Sequence, residues 1–296
     1  MPAMTVRVAA CQIDPAIGEV DRNLERIEAS LTDAARAGAA LAILPEAAVT
    51  GYAFSSADEA LPVARRASAV AGDRLTELAA RLDIAVICGT LEADGDEISN
   101  VALTVTPSGE RFQYRKTHLP FLGVDRFVTP GPHPPSVVEV AGLRVGVLIC
   151  YDLRFPEPAR VCGLEGADLI ALPTNWPVGV DFHPDLFAPA RAAENHCYLL
   201  AADRVGEEAG TTFMGRSVFI DPDGVRLAAA SDTDEELLLG EVDVELARRT
   251  HIRRRPGEHE WDTIADRRPG LYDRLLQPGV DREHPPSATL FSGDVE

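Results

Sequence analysis

Lysine is almost missing from this 296-residue chain: of its 28 basic residues only Lys116 is a lysine. Arg and Lys are interchangeable on a solvated surface but not in a site. Lys is a compact point charge with a tunable pKa, Arg a wide planar fork. One lysine kept in Tyr114-Arg115-Lys116-Thr117-His118-Leu119-Pro120 is therefore a candidate for chemistry. Other features are missing too. No apolar run is long enough to span a membrane. The start, Met1 to Arg7, lacks the charged segment and apolar core of a secretory leader. Five cysteines, at 11, 88, 150, 162 and 197, form no CxxC, which points to free thiols in a reducing cytoplasm. Seven histidines show no HxH or HxxxH spacing, so no metal site is expected. There is no GxSxG and no GxxxxGK[ST], which removes the serine-hydrolase elbow and the phosphate loop. A net charge of −19 leaves little basic surface for nucleic acid. The one basic cluster, Arg248-Arg249 with Arg253-Arg254-Arg255, lies among acids and reads as local ion pairs or a subunit contact.

What is present alternates. Short apolar runs at Val6–Cys11, Leu41–Leu44, Ile84–Cys88, Leu143–Ile149, Leu169–Leu172 and Cys197–Ala202 read as strands. Helical spacing fills Val20–Ala37 (capped by Asp21 or Asn23), Leu75–Leu82, Glu157–Leu164 and Pro189–Asn195. Pro107-Ser108-Gly109 and Ala141-Gly142 mark hairpins, and Thr211 to Asp243 reads as three further strands. Continuous apolar strands separated by helices imply α/β sheets buried on both faces. The pattern GAxLxxLP occurs twice, at Gly38–Pro45 and Gly166–Pro173. This predicts two similar βαβ halves in one domain, with two sheets inside and helices outside. One domain is expected over 1–296, with a core of about 4–245 and an Arg-, Pro- and Gly-rich extension, 246–296, wrapping the body or a partner.

Three residues sit where strands end. Cys150 closes Gly146–Ile149, and Tyr151-Asp152-Leu153-Arg154-Phe155-Pro156 turns the chain into a helix. A thiol at such an elbow is exposed to helix-terminal N–H groups and suited to nucleophilic attack. Cys88, Cys162 and Cys197 read instead as inert core thiols. Glu46 follows Leu44-Pro45 and precedes an uncharged loop, a setting that raises a carboxylate toward a useful general base. Lys116 would stabilise developing negative charge and lower the thiol pKa.

In these segments the chain resembles the carbon–nitrogen hydrolase (nitrilase) superfamily over nearly its whole length. Glu46, Lys116 and Cys150 match that family's Glu-Lys-Cys triad in order. Gly166-Ala167-Asp168, Pro173-Thr174-Asn175-Trp176, Arg191–Asn195 and Gly215-Arg216-Ser217 are supporting matches. The resemblance implies a four-layer α-β-β-α sandwich with a C-terminal tail, no metal, no cofactor, and a homodimer or larger homo-oligomer. Ala201–Glu208 looks like the branch of small-amide amidases. The implied activity is hydrolysis of a small amide to acid and ammonia through a thioester. N-carbamoyl amine or amino-acid hydrolysis, or nitrile hydrolysis, are the alternatives, and a catalytically silent binding protein is the non-enzymatic one. Tyr52, Tyr151, Asn175 and Trp176 are the expected substrate-binding residues, with the Tyr151 N–H as an oxyanion donor. One departure stands out. The family's second Glu, after the Lys, is missing, and Asp125 is the only acid between Pro120 and Gly131. Asp125 would have to replace it with a side chain one methylene shorter, helped by the freedom of Gly123.

Overall fold

The alternating strands and helices build two six-stranded sheets in the computed structural model, which describes residues 4–279. The first half runs β1 (Thr5–Gln12), α1 (Val20–Arg36), β2 (Leu41–Ile43), α2 (Ala57–Leu82), β3 (Ala85–Asp94), β4 (Glu97–Val105), β5 (Arg111–Arg115). The second runs β6 (Val137–Val140), β7 (Leu143–Val147), α3 (Pro156–Leu164), β8 (Leu169–Pro173), α4 (Ala188–Asn195), β9 (Tyr198–Ala202). A small hairpin, β10 (Glu207–Glu208) and β11 (Thr211–Thr212), precedes β12 (Val218–Ile220), β13 (Arg226–Ala229) and β14 (Glu236–Asp243). Helix α5 (Val244–Arg248) leads to the hairpin β15 (His251–Arg255) and β16 (His259–Asp262). The sheets are ordered β14-β1-β2-β3-β4-β5 and β13-β12-β9-β8-β7-β6. Each has three parallel strands at its centre, β1-β2-β3 and β7-β8-β9.

Side-chain alternation along the strands decides the layers. Val8, Ala10, Leu41 and Ile43 share a core with Val145, Val147 and Leu169 to Leu172 of the other sheet. Their neighbours Ala9, Cys11, Ala42 and Leu44 pack instead with Leu24, Ile27 and Leu31 of α1 and Leu75 and Leu78 of α2. Ala159 and Cys162 of α3 and Ala188 and Ala192 of α4 cover the second sheet. The result is the α-β-β-α sandwich. Each fully buried Leu or Ile in these layers contributes about 1.5–3 kcal/mol.

The repeated GAxLxxLP pattern is a repeat of structure. Gly38 and Gly166 both take φ +79, the left-handed value that ends a helix at glycine. Ala40 and Asp168 donate their N–H to Arg7 O and Arg144 O, each at 2.8 Å. β2 and β8 then occupy the same place in their sheets, so Glu46 and Thr174 lie just beyond equivalent strand ends.

Several elements differ from the sequence reading. Helix α2 begins at Ala57, where Ser56 caps it by accepting from Glu59 N. Pro62 and Gly72 hide its first two thirds from a periodicity argument, yet buried Ala60, Ala64, Ala67 and Ala71 line its inner face. The cap of α1 is Glu19, and Asn23 instead ties down Ala16 and Val49. β3 continues to Asp94 because β4 pairs with it along its whole polar half. Thr211 to Asp243 holds four strands, not three. The chain divides into two compact units, Met1–Ile264 and Ala265–Glu296. The Arg-rich hairpin β15-β16 belongs to the first, beyond the core limit near residue 245 that the sequence suggested. The described part of the second carries two 3-10 turns, Pro269–Leu271 and Asp273–Leu276. In the basic cluster Arg248 grips Asp168 with two bonds of 2.8 and 2.9 Å, and Arg253 and Arg255 pair with Glu260 and Glu258. No helix among the described residues is long and apolar enough to cross a membrane.

Candidate active site

Glu46 follows β2, Lys116 follows β5 and Cys150 follows β7, so the sandwich brings three strand ends to one place. Gly89 makes room for the first. A Cβ there would stand 2.4 Å from Pro45 O and 2.5 Å from Glu46 Cα. Cys150 takes φ +45, a left-handed conformation uncommon for a residue with a side chain. This is the sharp turn expected after Ile149, and a 3-10 turn, Cys150–Arg154, carries the chain into α3.

Lys116 is the hub. Its Nζ donates to Glu46 Oε1 at 2.6 Å and to Asp125 Oδ2 at 2.5 Å. Glu46 and Lys116 are fully buried, whereas Cys150 keeps 9% of its surface exposed. Asn100 Nδ2 donates to both carboxylates, at 2.7 Å to Glu46 and 3.0 Å to Asp125. Tyr52 donates its hydroxyl to Asp125 Oδ2 at 2.9 Å, and the Lys116 ammonium stands 5.9 Å from its ring centroid. Glu46 Oε2 has no hydrogen-bond partner among the described residues.

Charge and burial set the protonation states. Burial pushes the Glu46 carboxyl up, and the Asp125 carboxylate adds to this against Lys116 and Asn100. Burial alone would lower Lys116, but Asp125 and Glu46 outweigh it and hold the ammonium well above its usual value. Burial and Glu46 raise the Cys150 thiol well above the ordinary range, despite Lys116, the Thr174 hydroxyl and the Asn175 backbone N–H. The expectation that Lys116 lowers the thiol pKa is thus outweighed. Cys150 therefore rests as a thiol, and ionising it requires a base at hand.

The expected substrate-binding residues fall into different surroundings. Tyr52 is buried, with its hydroxyl committed to Asp125 and Leu122 O, so it supports the Asp125 carboxylate. Tyr151 is half-buried, edge-on to Phe155. Asn175 brings its backbone N–H to the Cys150 sulfur, and its side-chain amide has no partner among the described residues. Trp176 stacks on His183 with ring centroids 5.7 Å apart. Burial lowers His183 to about 4, which keeps its imidazole neutral near pH 7.

Four contributors escaped the sequence reading. Asn100 is a polar side chain inside an otherwise strand-like run, a signal that was present. Asp152 was visible only as part of the Cys150 motif. Fully buried Arg204 pairs with Glu208 at 2.9 Å, and Glu208 in turn accepts the N–H groups of Tyr52 and Ala53. Asp203, whose carboxyl burial holds well above its usual value, receives Trp176 N–H at 2.9 Å. Among the described residues no three His, Cys, Asp or Glu side chains could hold a metal ion together.

The description of the carbon–nitrogen hydrolase family matches residues 7–252. The chain belongs to that family. A nitrilase of Pyrococcus abyssi is 38% identical over 272 residues, 91% of this chain and 100% of that protein. A 2-oxoglutaramate amidase of Bacillus subtilis is 27% identical over 240 residues, 80% of this chain and 91% of that one. A solved amidase of the nitrilase superfamily from Nesterenkonia superposes with a TM-score of 0.77 at 27% identity, covering 92% of this chain and 97% of the other. A further structure of that amidase, with a TM-score of 0.77 and 26% identity over 92% and 97% of the two chains, carries the acetamide moiety of fluoroacetamide on its active-site cysteine. The present protein is a carbon–nitrogen hydrolase with the fold of these amidases.

Proposed function

We propose that this hydrolase converts a small carboxylic amide to the acid and ammonia through a thioester on Cys150. The observation that carries the reading is the Lys116 ammonium held between Glu46 and Asp125 next to a thiol on a strained turn. Glu46 takes the thiol proton as sulfur attacks the carbonyl carbon. Lys116 and the Tyr151 N–H bind the oxyanion. Glu46 returns the proton to the departing nitrogen, ammonia leaves, and a thioester remains. Glu46 then activates water, which attacks the thioester and restores the thiol. Asp125 fixes Lys116 and keeps Glu46 basic. The narrow exposure of Cys150 favours small substrates. The name of the Pyrococcus relative favours nitriles as a second reading.

Ammonia release from a panel of small amides, nitriles and N-carbamoyl compounds separates these readings. Mass spectrometry of enzyme quenched during turnover should find the acyl adduct on Cys150. An adduct on another residue, or full activity in Cys150→Ala, refutes the assignment. Exposed Leu271, Leu275 and Leu276 favour a homo-oligomer, which light scattering would detect.

A further inference from the structure

We propose that Asp152 is a positioning residue that locks the Cys150 turn to the segment bearing Lys116. The proposal rests on the reading of Cys150 as nucleophile. Asp152 is fully buried, two residues after the thiol. Its Oδ2 accepts the Ile149 N–H at 3.0 Å and the Tyr114 hydroxyl at 2.9 Å. Its Oδ1 accepts the Thr117 hydroxyl at 3.0 Å, the His118 N–H at 3.1 Å and His118 Nδ1 at 2.8 Å. One carboxylate thus gathers five donors. One lies immediately before Cys150, and four lie on the residues flanking Lys116. Tyr114 lies in β5 of one sheet and Thr117 and His118 follow it, whereas Cys150 follows β7 of the other. Asp152 is therefore a link between the sheets at the point where nucleophile and cation must meet.

The turn needs such a link. A non-glycine residue at φ +45 persists only where its surroundings over-determine it. The Ile149 bond closes the turn on its inner side. The Arg191 guanidinium of α4 closes the other end by donating to Leu153 O and Arg154 O, each at 3.1 Å. His118 also stacks on Phe155, with ring centroids 4.1 Å apart, which holds the imidazole against the end of the turn. A carboxylate suits this role because it only accepts, and all five neighbours can donate. An Asn side chain has one accepting oxygen and a donating NH2, so either orientation sets N–H against donors on one side.

The test is Asp152→Asn, with Thr117→Val as a milder variant that removes a single donor. Wild type and variants are compared by circular dichroism, by kcat and KM on the best amide, and by the pH profile of Cys150 alkylation by iodoacetamide. A displacement of about 1 Å costs on the order of 10²-fold in rate. Asp152→Asn should therefore lose about 100-fold in kcat with little change in KM. Its alkylation profile should shift along the pH axis, because a thiol that drifts from Glu46 and Lys116 loses the two charges that act on it. Thr117→Val should move both readouts the same way by less, and it carries the test if Asp152→Asn does not fold. An unchanged alkylation profile in a folded variant would make Asp152 merely structural. A shift in Asp152→Asn with none in Thr117→Val would make its effect a direct charge effect. Either result overturns the proposal, as does turnover within about threefold of wild type. If wild type hydrolyses no amide, the functional reading fails, while the alkylation profiles still decide the role of Asp152.

Discussion

Asp125 Oδ2 lies 2.5 Å from Lys116 Nζ, although Asp is a methylene shorter than the Glu that the family resemblance led one to expect in this segment. The backbone makes up the difference. Gly123 takes φ +50, and a Cβ there would stand 2.5 Å from the Tyr52 ring. The 3-10 turn Gly123–Arg126 can therefore settle onto Tyr52, whose hydroxyl reaches Asp125 at 2.9 Å.

Asp125→Asn should lower turnover by at least 10-fold with an almost unchanged melting temperature, because Asn keeps the size and Lys116 keeps Glu46. The pH profile isolates the charge. Glu46 must be ionised to act, and its raised pKa places the acid limb of kcat/KM above the usual Glu value of about 4.3. Asp125 is one of the causes of that rise, so its neutralisation should move the limb to lower pH. A limb that stays in place, with turnover within about twofold, would leave Asp125 outside the machinery.

Lys116→Arg should reduce turnover by at least 100-fold, the scale of losing an oxyanion donor. The lysine is enclosed by Glu46, Asp125 and the Tyr52 ring, with no room for a planar fork. Overpacking should cost about 1–3 kcal/mol of stability. Steady-state kinetics and a urea titration read the two effects. Near-wild-type turnover would reduce the unique lysine to an accident of composition.

Gly89→Ala should impair both stability and catalysis. The added methyl would meet Pro45 O, Glu46 Cα and Ala47 N at 2.4, 2.5 and 2.6 Å, all of them backbone that carries Glu46, the proposed base. A loss of about 1–3 kcal/mol and a clear fall in kcat are expected. Gly95→Ala is the control, because a Cβ there meets nothing within 4 Å. It should strain its own turn and leave kcat alone.

Asp168→Asn should weaken the fold without touching the site. Burial would raise this carboxyl, but Arg248 and Arg144 outweigh it and hold the pKa below the ordinary range. A depressed folded pKa stabilises above the unfolded value, about 3.9, and that stability is lost as pH falls through the folded pKa. The variant should therefore be about 2 kcal/mol less stable at pH 7, with a gap that closes below about pH 4. Chemical denaturation across pH measures it, and a gap that ignores pH would contradict the ion-pair account.

The layers and the strand-end places of the proposed reacting groups follow from local sequence. The continuous apolar runs Val6–Cys11 and Leu41–Leu44 and the twice-used GAxLxxLP pattern are local properties, so two βαβ halves and the strand-end places of Glu46 and Cys150 were legible. Lys116 was legible because composition singled it out. Helix α2 was not, since its inner face is made of alanines that carry little hydrophobic contrast. Nor were the protonation of Cys150, the committed hydroxyl of Tyr52, or the parts played by Asn100 and Asp152. Burial and long-range neighbours set all four. Asn100 meets Glu46 across 54 residues and Asp152 meets Tyr114 across 38. The lateral order β2-β3-β4 within one sheet brings the first pair together and the packing of one sheet against the other brings the second, because hydrogen bonds and desolvation act over a few ångströms of space, whatever the distance along the chain.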